Sequence, residues 1–228
     1  MEDNDYIRRW EDLDIDILVK IFQLLDIFEL TSGISRVCSA WRLACCDPLL
    51  WKTLDLSMLR SNFIKIPLEP FVYVDGRSDR TLTRILKISL SLSQQKILTV
   101  IFHFNLYVSD VASSYTAYLP KLRVLSLRCS MLYKDVLILI LDSLQHLEVL
   151  NISHCVLMEA LPAPQQKRII KEIDVTIRQK ASRLREFLTC MEDSCVMCQR
   201  TRTDEGLIRW YKYEEGLWKT DEVRSLSL

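Results

Sequence analysis

Glycine is scarce in this chain, with 4 among 228 residues. Loops that cradle phosphate depend on clustered glycines, and neither G-x-G-x-x-G nor a P-loop occurs, which excludes nucleotide binding of those kinds. Charge of one sign is not in excess either. There are 30 Lys and Arg against 30 Asp and Glu, a poor electrostatic footprint for nucleic acid or an anionic membrane. Long hydrophobic runs are missing as well. The longest, Val136–Leu141, stops at Asp142, far short of the roughly 18 apolar residues that read as a membrane span. The start, Met1-Glu2-Asp3-Asn4-Asp5, is acidic and unlike a signal peptide. The expected location is therefore the nucleus or cytoplasm, where the 8 cysteines should remain reduced thiols.

What the chain does contain is apolar periodicity. Leu13, Ile17, Leu18, Ile21, Phe22 and Leu25 recur at spacings of three and four, which puts them on one helical face. Leu30, Ile34, Val37, Cys38 and Trp41 repeat the pattern, and Leu49, Leu50 and Trp51 close a third segment. Three short amphipathic helices make a module too small to bury all of its apolar surface. Part of that surface should meet a partner.

Three ordered blocks carry a resemblance: L-x-x-D-I-L-x-x-I-F-x-x-L at Leu13–Leu25, V-C-x-x-W at Val37–Trp41 and D-P-x-L-W at Asp47–Trp51. Together they resemble the F-box. One departure is Asp14, where the family usually has proline after the first leucine; an acidic residue there suits the helix dipole. The resemblance implies a three-helix F-box over residues 10–52 that binds a Skp-family adaptor. Its adaptor-binding residues would be Leu13, Ile17, Leu18, Ile21, Phe22 and Leu25, with Leu30, Val37, Trp41, Leu49 and Trp51.

Farther on, the chain repeats itself. Leu119-Pro-Lys-Leu122-Arg-Val-Leu125-Ser-Leu127 matches Leu144-Gln-His-Leu147-Glu-Val-Leu150-Asn-Ile152 at an offset of 25 residues. The same step reaches back to Ile97, Val100 and Phe102 and forward to Glu172, Val175 and Ile177. Leu132–Leu144 between the two clear copies, apolar at Leu132, Val136, Leu139, Ile140 and Leu144, suits a helix. Trp51–Leu56 alternates like a short strand, Phe71–Val74 is a weaker strand candidate, and Arg80–Leu92 has helical spacing. Asn105–Tyr118 connects repeats without repeat character of its own.

A strand and a helix per 25 residues, with L-x-x-L-x-L on the strand, resembles the leucine-rich repeat. The whole layout is similar to plant F-box/LRR-repeat proteins. The expected fold class is an α+β or α/β repeat, with the F-box followed by a short leucine-rich-repeat solenoid. Residues 1–9 would be a flexible N-terminus, 53–189 the repeats (clearest over 94–178) and 190–228 a C-terminal cap or tail. Trp210, Tyr211, Tyr213 and Trp218 would pack over the open end.

Strand alternation then defines a candidate target-binding face. With Val100/Phe102, Leu125/Leu127, Leu150/Ile152 and Val175/Ile177 pointing inward, three outward columns result. They are Thr99, Val124, Val149 and Asp174; Ile101, Ser126, Asn151 and Thr176; and His103, Arg128, Ser153 and Arg178. Apolar residues mixed with arginine suit a protein interface.

The resemblance implies a substrate-recognition subunit of an SCF-type ubiquitin ligase, joined through the adaptor to cullin and RING subunits, with no catalytic group and no cofactor of its own. Two other readings stay open: a protein-interaction scaffold outside any ligase, and a small-molecule-sensing F-box/LRR receptor.

Cys195-x-x-Cys198, with Cys190, supplies three clustered thiols. A structural zinc site needs four ligands. No second Cys-x-x-Cys or His pair follows, and His154 or Cys155 could complete the set only through a long-range fold. No obligatory metal site is expected. His154 and Cys155 should point opposite ways, Cys129 and Cys155 should be buried thiols at repeat corners, and His103 and His146 should be structural.

Overall fold

The computed structural model describes residues 9–57, 64–65, 73–74, 76–102, 107–108, 118–161 and 167–202. The aromatic residues expected to cover the C-terminal end, Trp210 to Trp218, lie outside them.

The N-terminal segment folds into α1 (Ile15–Phe22), α2 (Ile27–Ser32) and α3 (Ser39–Cys45), with single 3₁₀ turns at Trp10–Asp12, Ile34–Arg36 and Pro48–Leu50. α1 is shorter than the apolar stripe, so Leu13 precedes it and Leu25 follows it. Asp14 is its N-cap, and the carboxylate accepts from the Asp16 N–H at 2.8 Å. Proline at a helix start is tolerated because that turn has unpaired donors. Asp14 meets the same constraint by supplying an acceptor to one of them. α2 opens with a capping box: Asp26 accepts from the Glu29 N–H at 2.8 Å, and Glu29 accepts from the Asp26 N–H at 2.9 Å. Leu18, Val19, Phe22, Leu30, Ala44 and Cys45 are buried. Phe22 meets Trp41 edge to face at 5.3 Å, the geometry that the ring quadrupoles favour.

Trp51 joins this module to the rest. It is fully buried, and its indole Nε1 donates to the Cys45 carbonyl at 2.6 Å. Directly after it runs β1 (Thr53–Asp55), with Leu54 and Leu56 buried. The apolar core continues without a break from Leu18 and Phe22 through Trp51, Leu54 and Leu86 to Val100, Leu125 and Leu150.

The remainder is an α/β layer. β1, β4 (Thr99–Ile101), β6 (Val124–Ser126), β8 (Val149–Asn151) and β11 (Glu186–Leu188) form one sheet in that order, parallel throughout. The pairing Thr99↔Val124↔Val149 and Val100↔Leu125↔Leu150 reproduces the 25-residue offset. A second sheet has the order β10 (Lys167–Ile170), β9 (Val156–Ala160), β7 (Met131–Tyr133), β5 (Tyr107–Val108); only its β9–β10 pair is antiparallel. β2 (Ile64–Lys65) and β3 (Tyr73–Val74) make a separate antiparallel pair, and α4 (Gly76–Ser93) precedes β4. Between the clear copies, the chain forms β7 and then α5 (Lys134–Ser143).

Several expectations change. β5 falls inside Asn105–Tyr118, which read as a plain connection. In α5, Leu137, Ile140 and Leu141 carry the core and Leu139 is exposed. The forward copy at Val175/Ile177 is not a strand. It lies in α6 (Val175–Ala181), and the sheet's last strand arrives only at Glu186. Alternation in Val-Thr-Ile fits a strand or a helix start; Asp174 decides, because its carboxylate accepts from the Ile177 N–H at 2.9 Å and caps the helix. Asp174, Thr176 and Arg178 therefore leave the strand columns.

α6 is followed by Arg183, whose guanidinium Nη2 donates to the Leu141 carbonyl and, at 2.8 Å, to the Leu144 carbonyl. The Leu141 carbonyl lies in the last turn of α5, and the Leu144 carbonyl at its C-cap also accepts from the Leu147 N–H. Arg183→Ala is expected to lower unfolding free energy by about 2 kcal/mol. Arg183→Lys should recover only part of that, because one ammonium cannot reproduce the planar fork. Urea denaturation midpoints of the three proteins check this.

Candidate functional site

On the helical module, the structure divides the expected adaptor-binding residues by burial. Leu18, Phe22, Leu30 and Trp51 are buried in the protein's own core. Leu13, Ile21, Leu25 and Trp41 are half-buried against it. Ile17, Val37 and Leu49 remain 47%, 60% and 53% exposed. Helix geometry explains the split: with Leu18, Val19 and Phe22 facing inward, Ile17 lies off that stripe. Trp10, Ile15, Leu24 and Leu43 are also exposed and were missed. The signal for Leu43 was available, since an apolar residue between Trp41 and the buried Ala44 and Cys45 falls on the outer side of α3.

The candidate target-binding face is more closed than alternation suggested. Ile101, Ser126, Arg128, Val149 and Asn151 are buried. Thr99, Val124 and Ser153 are half-exposed, and His103 lies outside the described residues. Ile101, Ser126, Val149 and Asn151 sit on strands paired on both sides and Arg128 in the turn after β6, and the polar groups of Ser126, Arg128 and Asn151 bond internally. Arg128 Nη1 donates to Ser126 Oγ at 3.1 Å, and Asn151 Oδ1 accepts from the Ser153 N–H at 2.9 Å. Burial pulls the Arg128 pKa below the ordinary guanidinium value, opposed by the Asp55 carboxylate. Arg128 is thus a core residue, not a surface determinant.

Among the described residues, one gathering of metal-ligating side chains was only half legible in the sequence. The ligand atoms of His154, Cys190, Cys195 and Cys198 all lie within 4.8 Å of one another. His154 Nδ1 is 3.3 Å from Cys198 Sγ and 3.5 Å from Cys195 Sγ. Cys198 Sγ is 3.6 Å from Cys190 Sγ. The long-range fold needed for a fourth ligand is present, and it follows from strand register. β11 pairs with β8, the Ile152 N–H then donates to the Leu188 carbonyl, and the His154 N–H donates to the Cys190 carbonyl at 3.0 Å. His154 has φ 61, matching Cys129 (φ 55) one repeat step earlier. This left-handed corner turns His154 out toward the thiols, while Cys155 turns in and its thiol donates to the Leu127 carbonyl. Cys195 directly precedes α7 (Val196–Arg202) and Cys198 lies in its first turn, a spacing that brings both sulfurs to one side.

Burial, followed by the neighbouring Cys190 thiol, pushes Cys198 up to about 12. Backbone N–H donation, first from Cys198, holds Cys195 below the usual thiol value. Burial lowers the His154 pKa, so its imidazole tends toward the neutral, ligating form. Cys129 and Cys155 are buried, and burial raises both pKa values, that of Cys155 to about 12. They are inert thiols. His146 is exposed.

The geometry defines a module of short helices joined to a largely parallel α/β layer. Residues 10–57 match the F-box-like family model. An F-box/LRR-repeat protein of Arabidopsis thaliana is 46% identical over 300 residues, covering 97% of each chain. Another Arabidopsis thaliana F-box protein is 24% identical over 331 residues, covering 96% of each. F-box protein FBW2 of the same plant is 33% identical over 63 residues, covering 28% of this chain and 20% of its own. The chain belongs to the plant F-box/LRR-repeat proteins. Both long alignments exceed the 228 residues of this chain, so those relatives carry stretches that it lacks. Among the described residues, no helix is long and apolar enough to cross a membrane.

The division of the helical module has a direct consequence. Trp51→Ala should remove about 3–5 kcal/mol and unfold the module, as emptying a large core site does. Ile17→Ala should change stability by no more than about 0.5 kcal/mol, as expected for a surface position. Thermal unfolding followed by circular dichroism distinguishes them.

Proposed function

We propose that this chain is the substrate-recognition subunit of an SCF-type ubiquitin ligase. In this reading the F-box docks on a Skp-family adaptor, which links it to cullin and RING subunits in the cytoplasm or nucleus. The α/β layer, read as a short leucine-rich-repeat solenoid, holds a target protein destined for degradation. The solenoid reading is supported by two parallel sheets that both advance by 25 residues between β6/β7 and β8/β9. The chain supplies no reacting group. Its contribution is proximity, since a held target meets the ubiquitin thioester at high effective concentration.

One observation carries the adaptor half: within the family match at residues 10–57, Ile17, Val37 and Leu49 stay exposed although their neighbours pack into a complete core. Apolar side chains left on a finished core are candidates for burial by a partner. On the α/β layer, Thr99, Val124 and Ser153 are the accessible members of the expected target face among the described residues, and target contact is assigned to that rim.

Interface anchors are worth about 2 kcal/mol or more each on truncation, so losing two weakens binding by roughly a thousandfold. Ile17→Ala with Leu49→Ala is expected to abolish co-purification with a Skp-family adaptor while the circular dichroism spectrum is unchanged. A folded double variant that binds as tightly as the parent contradicts the reading. Val124→Glu should leave adaptor binding intact and deplete the target from affinity purifications made with the proteasome blocked. Ubiquitin transfer to that target by the reconstituted complex separates a ligase subunit from a scaffold.

A further inference from the structure

We propose that His154, Cys190, Cys195 and Cys198 form a structural zinc site that fastens the segment after β11 to the end of the parallel sheet. The site lies apart from the adaptor-docking residues, although its ligand His154 directly follows Ser153 of the proposed target rim.

The donor set is one imidazole and three thiols, a recurrent ligand class for structural zinc. Bond lengths of about 2.3 Å to sulfur and 2.0–2.1 Å to nitrogen, at tetrahedral angles, put sulfur atoms about 3.8 Å apart and nitrogen about 3.6 Å from sulfur. The observed separations of 3.6 Å for Cys198–Cys190, and 3.3 and 3.5 Å for His154 to Cys198 and Cys195, match that tetrahedron closely. The widest pair, still within 4.8 Å, closes by a side-chain adjustment.

Two independent features hold the ligands before any ion arrives. The hydrogen bond from the His154 N–H to the Cys190 carbonyl fixes those two backbones at 3.0 Å. The Cys-x-x-Cys pair straddles the start of α7, with Cys195 just before the helix and Cys198 in its first turn, so the helix backbone fixes their spacing. Binding of one Zn²⁺ displaces a proton from each of the three thiols to solvent and takes the lone pair of neutral His154 Nδ1. No electron is exchanged.

The physical need is visible at the sheet edge. β11 is the last strand of its sheet, and the chain beyond it, Cys190–Cys198, is mostly half-exposed or exposed and has little apolar burial to order it. A four-ligand metal crosslink between the β8 corner and this segment provides that order.

The test is elemental analysis of the full-length protein purified under reducing conditions from zinc-supplemented cells. About one zinc per chain is expected, as for a closed structural site. Cys38→Ser, which retains a helix N-cap, should keep that stoichiometry. Cys195→Ser with Cys198→Ser should lose it, and His154→Ala should release zinc to a chelator at least tenfold more readily. His154→Cys should retain the metal, because cysteine already occupies the same left-handed corner at position 129. Cobalt substitution of the parent should give the visible d–d bands and thiolate charge-transfer absorption of a tetrahedral site, and these remain readable if a variant fails to fold. Folded parent protein with well under one zinc per chain, a Cys190–Cys198 disulfide in its place, or stoichiometric zinc that survives loss of Cys195 and Cys198 would each overturn the proposal.

Discussion

The parallel backbone ladder at a 25-residue step is the constraint on which most of this molecule depends. Val124, Leu125 and Ser126 bond in register with Val149, Leu150 and Asn151, and the same step sets Met131 and Leu132 beside Val156 and Leu157 in the second sheet. Because both sheets advance together, the corner between them must repeat too. That corner needs a left-handed residue, and in a chain so poor in glycine Cys129 and His154 occupy it. A non-glycine residue there costs about 1–2 kcal/mol. The ladder on either side holds it, through the Cys129 N–H to the Ser153 carbonyl and the His154 N–H to the Cys190 carbonyl.

The helical module depends on that ladder through Trp51. Its indole is sealed between the end of α3 and the start of β1, and the two parts share one core. A small module gains stability from such fusion, since its own interior is limited. Fusion also frees other apolar residues from core duty. Ile17, Val37 and Leu49 stay outside while Leu18, Phe22 and Leu30 suffice inside.

Much of this was legible in the sequence, and the failures have physical causes. The two central strands and the offset between them were readable because Leu122, Leu125 and Leu127 recur as Leu147, Leu150 and Ile152, all of them buried. The position of β11 was not, because Val175-Thr-Ile177 suits either period and a single cap at Asp174 selects the helix. Accessibility was the weakest inference. Alternation says which side of a strand a residue takes, not whether that side meets water, so Arg128 read as exposed and is buried. The metal-ligating cluster was half visible: Cys190, Cys195 and Cys198 are close in sequence, whereas His154 joins them only through the register of β8 with β11.

The central claim is that the helical module is a docking device and the parallel layer is left free for a second protein. Hydrogen exchange of the full chain, with and without a Skp-family adaptor, tests this most directly. The account predicts new protection confined to residues 10–50, over α1, α3 and the Pro48–Leu50 turn, with the amides of β4, β6 and β8 unchanged. Protection on those central strands, or none anywhere at saturating adaptor, would contradict it.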